Sequence, residues 1–253
     1  MPPSQNDIAK HFRDLHSPQD PLILTNVWDA STASAIASLP TTRAIATASF
    51  AIAAYFGVDD ENLTKAQNLT ALKIFVSAAH RINPALPVTA DLQDGYDKDL
   101  PSLAVTAKEA IALGAVGCNL EDMDNAAGTL RPLDEAVARV RTVVDAAKDA
   151  GVPDFALNAR TDVLSQEGTT LDDAIVRGKA FLEAGACTVF VWGGPKGRGV
   201  EGGGEGFGEG VRGEGECDDA FGRRVFGSTG DSAVGSCKGE YWAGVVDVCD
   251  EGG

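Results

Sequence analysis

Short apolar runs alternate with longer stretches of helical period over roughly the first 196 residues. The runs fall at residues 22–25, 44–47, 88–91, 117–121, 155–159 and 188–191, and their length and β-like composition predict strands. Between them apolar residues recur every third or fourth position. In 66–82 the stripe is Leu69, Leu72, Phe75, Val76 and Ala79; in 133–150 it is Val137, Val140, Val143, Val144 and Ala147, stopped by Gly151. Further helices are predicted over 30–39 behind Asp29 as cap, over 103–113 behind Ser102, and over 171–184 ending at Gly185. Strand then helix, six times over, predicts parallel α/β architecture.

Length narrows this picture. At 253 residues the chain suits one barrel or two small domains. An open dinucleotide-binding sheet would also alternate in this way, but no GxGxxG follows the first run and no GxxxxGK[ST] is present. That lowers the open-sheet option and leaves it beside a (β/α)8 barrel. From about Gly197 the pattern stops. Residues 199–253 are rich in Gly and Glu, and 201–253 hold half of the net charge of -16. So many glycines make ordering costly and few apolar residues offset it. The expected organisation is a barrel-type segment over 1–198, incomplete or distorted after the sixth strand, and an atypical, poorly ordered tail over 199–253. Such a tail is either a natural extension or a C-terminus read in another frame.

The acidic balance argues against a nucleic-acid partner. No run of 18 apolar residues predicts a membrane span, and no secretory leader is evident. Five cysteines without a CxxC pair suit a reducing, cytoplasmic setting, and Cys118 reads as packing inside a strand. His11, His16 and His80 read as surface residues of helices.

In an α/β barrel the chemistry sits at the C-terminal ends of the strands. Those positions hold Asn26-Val27-Trp28-Asp29, Thr47-Ala48-Ser49-Phe50, the loop Gly57–Glu61, Asp91 through Asp97, Glu121-Asp122, Arg160-Thr161-Asp162 and Trp192-Gly193-Gly194. Asp91 and Glu121 could hold a hard cation that prefers oxygen ligands. Arg160 offers a planar fork to a carboxylate or phosphoryl group. Asp29 is better explained as a helix cap.

With these residues in view, TNVWDASTASAI, AIATASFAIAAYFGVDD, PVTADLQDGYD, GCNLEDMD and FALNARTDVL resemble the isocitrate lyase/phosphoenolpyruvate mutase superfamily, and its phosphonomutase-like members in particular. The resemblance spans roughly residues 5–198. It implies a Mg²⁺-dependent barrel acting on a small 2-oxo or enol carboxylate by making or breaking a C–C or P–C bond. It places the metal at Asp91, Gln93 and Glu121, the substrate at Trp28, Ser49, Phe50 and Arg160, and a catalytic role at Asp60 on its loop beside Arg160. Two departures stand out. The second acidic position of the family's DxDxGYG motif is Gln93, and its last Gly is Asp97. The cysteine loop of the lyases and the histidine of the mutases are absent, with Trp192 near the latter position. The resemblance also implies a homo-oligomer built on an exchanged C-terminal helix, for which no pattern follows Lys196. A catalytically defective or truncated relative, with only ligand binding or no activity, is therefore the alternative, and a Schiff-base aldolase using Lys196 a remote third.

Overall fold

A computed structural model describes residues 2–17 and 20–193. The segment 199–253 and Lys196 lie outside the described residues. In chain order the elements are α1 (Gln5–Asp14), β1 (Thr25–Val27), α2 (Ala30–Ala37), β2 (Ile45–Thr47), α3 (Ser49–Phe56), α4 (Lys65–Ile82), β3 (Val88–Asp91), α5 (Leu100–Ala112), β4 (Gly117–Glu121), the small hairpin β5 (Met123–Asp124) and β6 (Thr129–Leu130), α6 (Leu133–Asp149), β7 (Ala156–Thr161), α7 (Leu171–Glu183) and β8 (Thr188–Val191).

The main sheet runs β1-β2-β3-β4-β7-β8, and every pairing is parallel. Spatial order follows chain order with no reversal, so the sheet lacks the switch point of a doubly wound fold. It is the wall of a (β/α)8-type barrel, with six strands among the described residues. Among those residues no helix is long and apolar enough to cross a membrane.

Three of the predicted strands match β3, β4 and β8 in their bounds. The first shifts from 22–25 to Thr25–Val27, because pairing with Ile45–Thr47 selects the register, although Leu22 is still buried. β7 extends past 159 to Thr161, which puts Arg160 inside a strand rather than on a loop. α5 begins at Leu100, ahead of Ser102. Asp99 caps it by accepting the Ser102 N–H, and Pro101 sits in the first turn, where its missing N–H costs nothing. Asp29 caps α2 by accepting the Thr32 N–H, as expected.

Two helices had no predicted bounds. α1 is closed at its start by a reciprocal Ser4–Asp7 capping box and buries Ile8, Ala9 and Phe12. Gln5 Nε2 donates to the carbonyls of Ile111 (2.7 Å) and Ala115 (2.9 Å), tying α1 to the end of α5. α3, SFAIAAYF, is apolar nearly throughout and has no period to reveal it. His11 is exposed, and the other two histidines depart from the surface reading. His16 lies just past α1, half-buried, with Nδ1 2.7 Å from the Phe12 carbonyl, and His80 Nε2 lies 3.0 Å from the Leu86 carbonyl.

Side chains alternate across the wall. Cys118 and Leu120 of β4 join the buried core against the helices. Gly117 faces the interior, where a Cβ would stand 2.6 Å from the Ala156 carbonyl oxygen and 2.8 Å from Phe12 Cε1. Backbone cannot yield as a flexible side chain can. We therefore predict that Gly117→Ala destabilises the protein by about 1–3 kcal/mol, read as a lower urea midpoint at unchanged slope. A midpoint at the parental value would show that the two strands do not approach so closely.

Candidate active site

The rim of the barrel is set by strand register. Asp91 ends β3 opposite Asn119, and Glu121 ends β4 opposite Arg160 of β7. The ladder continues past Asp91, with Leu92 N–H donating to the Asn119 carbonyl (3.1 Å) and Glu121 N–H to the Gln93 carbonyl (2.9 Å). Alternation then turns Asn119 and Glu121 to one face, as it does Asn158 and Arg160.

The Asp91 side chain is held from three directions. Its Oδ2 accepts the Ser49 N–H at 2.9 Å, and its Oδ1 accepts the Gln93 N–H and Asn119 Nδ2, each at 3.2 Å. The chain of bonds runs on across the interior. Asn158 Nδ2 donates to Asn119 Oδ1 (3.0 Å), and Thr188 Oγ1 donates to Asn158 Oδ1 (2.8 Å). Because a carboxylate only accepts, Asn119 must turn its NH₂ to Asp91, and that choice fixes Asn158 in turn. Asn119 and Asn158 were not among the predicted site residues. Their signal is an amide at the inward position of two neighbouring strands, in GCNLED and LNART.

Arg160 is the centre of an ion-pair cluster. Nη1 lies 3.2 Å from Glu121 Oε2, Nη2 lies 2.6 Å from Asp162 Oδ1, and Nε donates to both Asp162 oxygens. The guanidinium lies 4.6 Å from the Trp192 ring centroid and 6.0 Å from that of Phe190. Trp192 is brought there by its N–H donating to the Thr161 carbonyl at 2.9 Å. Burial pushes the Glu121 carboxyl up to about 8; Arg160 works against this, while Asp162 and Asp91 add to it. Burial likewise raises Asp162. Burial opposes the charge of Arg160, but Glu121 and Asp162 outweigh it and hold the guanidinium protonated. Asn125 Nδ2, on the hairpin loop, donates to Glu121 Oε1 at 2.8 Å. Asp162 and Asn125 are thus site neighbours that the sequence reading did not assign.

Other rim acids are spent on architecture. Asp122 accepts from Thr161 Oγ1 (2.6 Å), the Asp162 N–H (2.9 Å) and Arg177 Nη1 (2.9 Å), bolting β4, β7 and α7 together. Asp94 accepts from the Asn125 N–H (3.1 Å), the Tyr96 N–H (3.0 Å) and Arg131 (3.3 Å). Asp97, at the family's glycine position, takes Lys65 at 3.4 Å and a short bond from Thr106, so the turn accepts a side chain there. The loop itself is strained. Gln93 and Tyr96 have φ of 50° and 63°, each a conformation costing about 1–3 kcal/mol that the surroundings must hold. Asn68 of α4 supplies part of that hold, donating to the Asp91 carbonyl (2.8 Å) and Tyr96 Oη (2.7 Å); Arg139 of α6 supplies the rest through the Asp94 and Asp97 carbonyls.

The remaining predicted residues are placed as follows. Gln93 Nε2 donates to the Asp60 carbonyl (3.0 Å) and to Asp60 Oδ1 (2.8 Å), which leaves only Oε1 to face a cation. Desolvation raises the Asp60 carboxyl, a Ser49 hydrogen bond lowers it, and Asp91 raises it further. The Ser49 N–H, expected at the substrate, is engaged by Asp91. Phe50 is the second residue of α3, half-buried, and Trp28 stands beyond β1 at 42% exposure.

These donors are all oxygens; Asp91 and Glu121 are buried, and Asp91 repels both Asp60 and Glu121. Surplus negative charge of this kind fits a hard cation that keeps much of its water. Among the described residues no three His, Cys, Asp or Glu side chains converge to hold a metal ion by themselves, so water would have to complete the shell.

Comparison with known proteins fits this arrangement. Residues 12–202 match the family model for phosphoenolpyruvate phosphomutase. The chain is 31% identical over 195 residues to 2-methylisocitrate lyase of Bacillus subtilis, covering 74% of this chain and 60% of that protein. It is 30% identical over 192 residues to the chloroplastic carboxyvinyl-carboxyphosphonate phosphorylmutase of Arabidopsis thaliana, covering 73% and 55%. The crystal structure of a provisionally named phosphonomutase from Burkholderia cenocepacia superposes with a TM-score of 0.68 at 39% identity, over 75% of each chain. The chain thus spans little more than half the length of the curated relatives it matches. Family members generally use a divalent metal. With its rim of Asp91, Glu121 and Arg160 on successive parallel strands, this chain belongs to the phosphoenolpyruvate phosphomutase family, within the phosphoenolpyruvate mutase/isocitrate lyase superfamily.

Proposed function

We propose that the protein is a Mg²⁺-dependent enzyme of lyase or phosphonomutase type that acts on a C–C or P–C bond of a small 2-oxo or enol carboxylate. The observation that carries this reading is the pair of buried carboxyl groups, Asp91 and Glu121, at the same end of adjacent strands, with Arg160 ion-paired to the second. Asp91 and Glu121 would hold the cation, with Gln93 Oε1 assisting through water. When bound, the ion would supply Lewis-acid polarisation of the substrate's oxygens and so favour the negative charge that develops beside them.

The chain's own groups do the rest. Arg160 has five N–H donors, and the described contacts engage three, which leaves one on each terminal nitrogen for a substrate carboxylate. Trp192 covers one face of the guanidinium and keeps water from it. The Phe50 N–H, in the first turn of α3, meets anionic charge at a helix start. Trp28 walls the substrate side. Asp60, with its carboxyl raised by desolvation, is suited to carry a proton at the reacting centre or to face the transferred group.

A binding-only reading is favoured by one observation, the prior commitment of the Arg160 fork to Asp162. Melting in the presence of Mg²⁺ and oxalate, a small dicarboxylate probe, separates the two from a protein that has lost the site. Ligand at a hundred times its Kd should stabilise the native state by about 2.7 kcal/mol, and the Asp91→Ala variant should show no shift. A parental protein indifferent to millimolar Mg²⁺ and oxalate would point to an inert relative, and an Asp91→Ala variant that still binds Mg²⁺ normally would displace the metal site from β3. Substrate turnover then distinguishes enzyme from binder.

Glu121 gives a second test. Between the ordinary glutamate range and about pH 8 the metal-free folded protein keeps a proton that the unfolded chain has released. Its contribution to stability is therefore greatest at low pH and is lost as pH rises through 8. A cation must displace that proton. Mg²⁺ affinity should climb with pH toward 8 and level off above it, with proton release near neutrality visible by calorimetry in two buffers of different ionisation enthalpy. Glu121→Gln should abolish the release. Equal heats in both buffers for the parental protein would mean that Glu121 is not at the cation.

A further inference from the structure

Gln93 stands where the family motif carries an acid, and the structure gives its side chain a different occupation. Its NH₂ group donates to two atoms of one residue, the Asp60 carbonyl at 3.0 Å and Asp60 Oδ1 at 2.8 Å. The Asp60 carbonyl can only accept, so the orientation of the amide is fixed by chemistry: nitrogen toward Asp60, oxygen away from it. A carboxylate at 93 would set acceptor against acceptor and charge against charge.

The two ends of this contact differ in rigidity. Gln93 is 6% exposed. Its N–H is bound to Asp91 Oδ1 at 3.2 Å and its carbonyl to the Glu121 N–H at 2.9 Å, which is how a φ of 50° is sustained. Besides Gln93, the partner segment has a Ser49 hydrogen bond to Asp60. The segment begins at Gly57, left-handed with φ of 72° and nothing within 4 Å of where a Cβ would stand, and ends at Leu63, 4% exposed. Between them the turn Asp60–Asn62 is exposed, and its backbone bonds are local, Asn62 N–H to the Asp59 carbonyl (2.9 Å) and Leu63 N–H to the Asp60 carbonyl (3.1 Å). A hinge at one end, an apolar anchor at the other and a fixed donor in the middle make a latch.

We infer that Gln93 is a positioning residue that latches the 58–62 segment to the barrel rim through its uncharged amide, holding Asp60 beside Asp91. The substitution of amide for acid exchanges one charged group at the rim for a neutral donor that fixes the loop. This holds whatever reaction the protein performs, because the contact is present without ligand.

The test is hydrogen exchange on the ligand-free full chain, comparing the parental protein with Gln93→Glu, Gln93→Leu, Asp60→Ala and the Gln93→Leu/Asp60→Ala double variant. Loss of two hydrogen bonds should speed exchange of amides in 58–62 by about tenfold in both Gln93 variants, while β3, β4 and α4 keep their protection. In the Gln93→Leu background Asp60→Ala should add less than it does alone, because the Oδ1 contact is already gone and only the Ser49 bond to Asp60 is left to lose. Gln93→Glu should also leave Mg²⁺ affinity undiminished, since it offers a carboxylate in place of the amide oxygen. Unchanged loop exchange in both Gln93 variants would overturn the latch, as would faster exchange spread evenly over β3 and α4. Weaker Mg²⁺ binding in Gln93→Leu with no change in the loop would show that Gln93 serves the cation instead.

Discussion

The backbone bond from the Glu121 N–H to the Gln93 carbonyl, 2.9 Å long, aligns the two chain segments from which the rim is built. It lies one step beyond the regular pairing of β3 with β4, where the chain has already begun to turn. Slipping that pairing by one residue would turn every side chain of β4 to its other face. Glu121 would enter the helix layer and Leu120 would meet the polar interior. Nothing else in the site can compensate for that, since Arg160 finds Glu121 through the same register one strand further on.

The rim is held more firmly than an exposed loop cluster would be, because polar side chains of the barrel interior brace it from below. Thr188, Asn158 and Asn119 pass hydrogen bonds across β8, β7 and β4 to Asp91. A buried polar chain is costly unless every member is satisfied. Here each amide has both a donor and an acceptor role assigned, and the result is a carboxyl group with little rotational freedom. Outside the wall, Asp122, Arg177 and Arg131 perform a corresponding service, linking the strand ends to α7 and to the segment leading into α6.

Adjacent acids consequently have opposite duties. Glu121 faces inward and is raised by burial; Asp122, its neighbour, faces the helices and is consumed by three hydrogen bonds. Asp91 and Asp94 divide in the same way, as do Arg160 at the rim and Arg139 beneath the 91–97 loop. A strand-end acid in such a barrel is not informative until its face is known.

The sequence by itself determined the strand–helix alternation, the bounds of β3, β4 and β8, the cap at Asp29, and the positions of Asp91, Glu121 and Arg160 at strand ends. Those features are local: period, capping chemistry and the end of an apolar run are written in a few consecutive residues. It set no bounds for α1, which lies in a weakly apolar stretch, and left α3 unseen as an apolar run without period. Tertiary structure alone decided what each polar group touches. That the Gln93 amide turns to Asp60, that Arg160 is already paired with Asp162, and that Asn119 and Asn158 brace Asp91 all depend on register and on packing between segments far apart in the chain. Hydrogen-bond partners are set by distances of tenths of an ångström, and no spacing along a sequence carries that information.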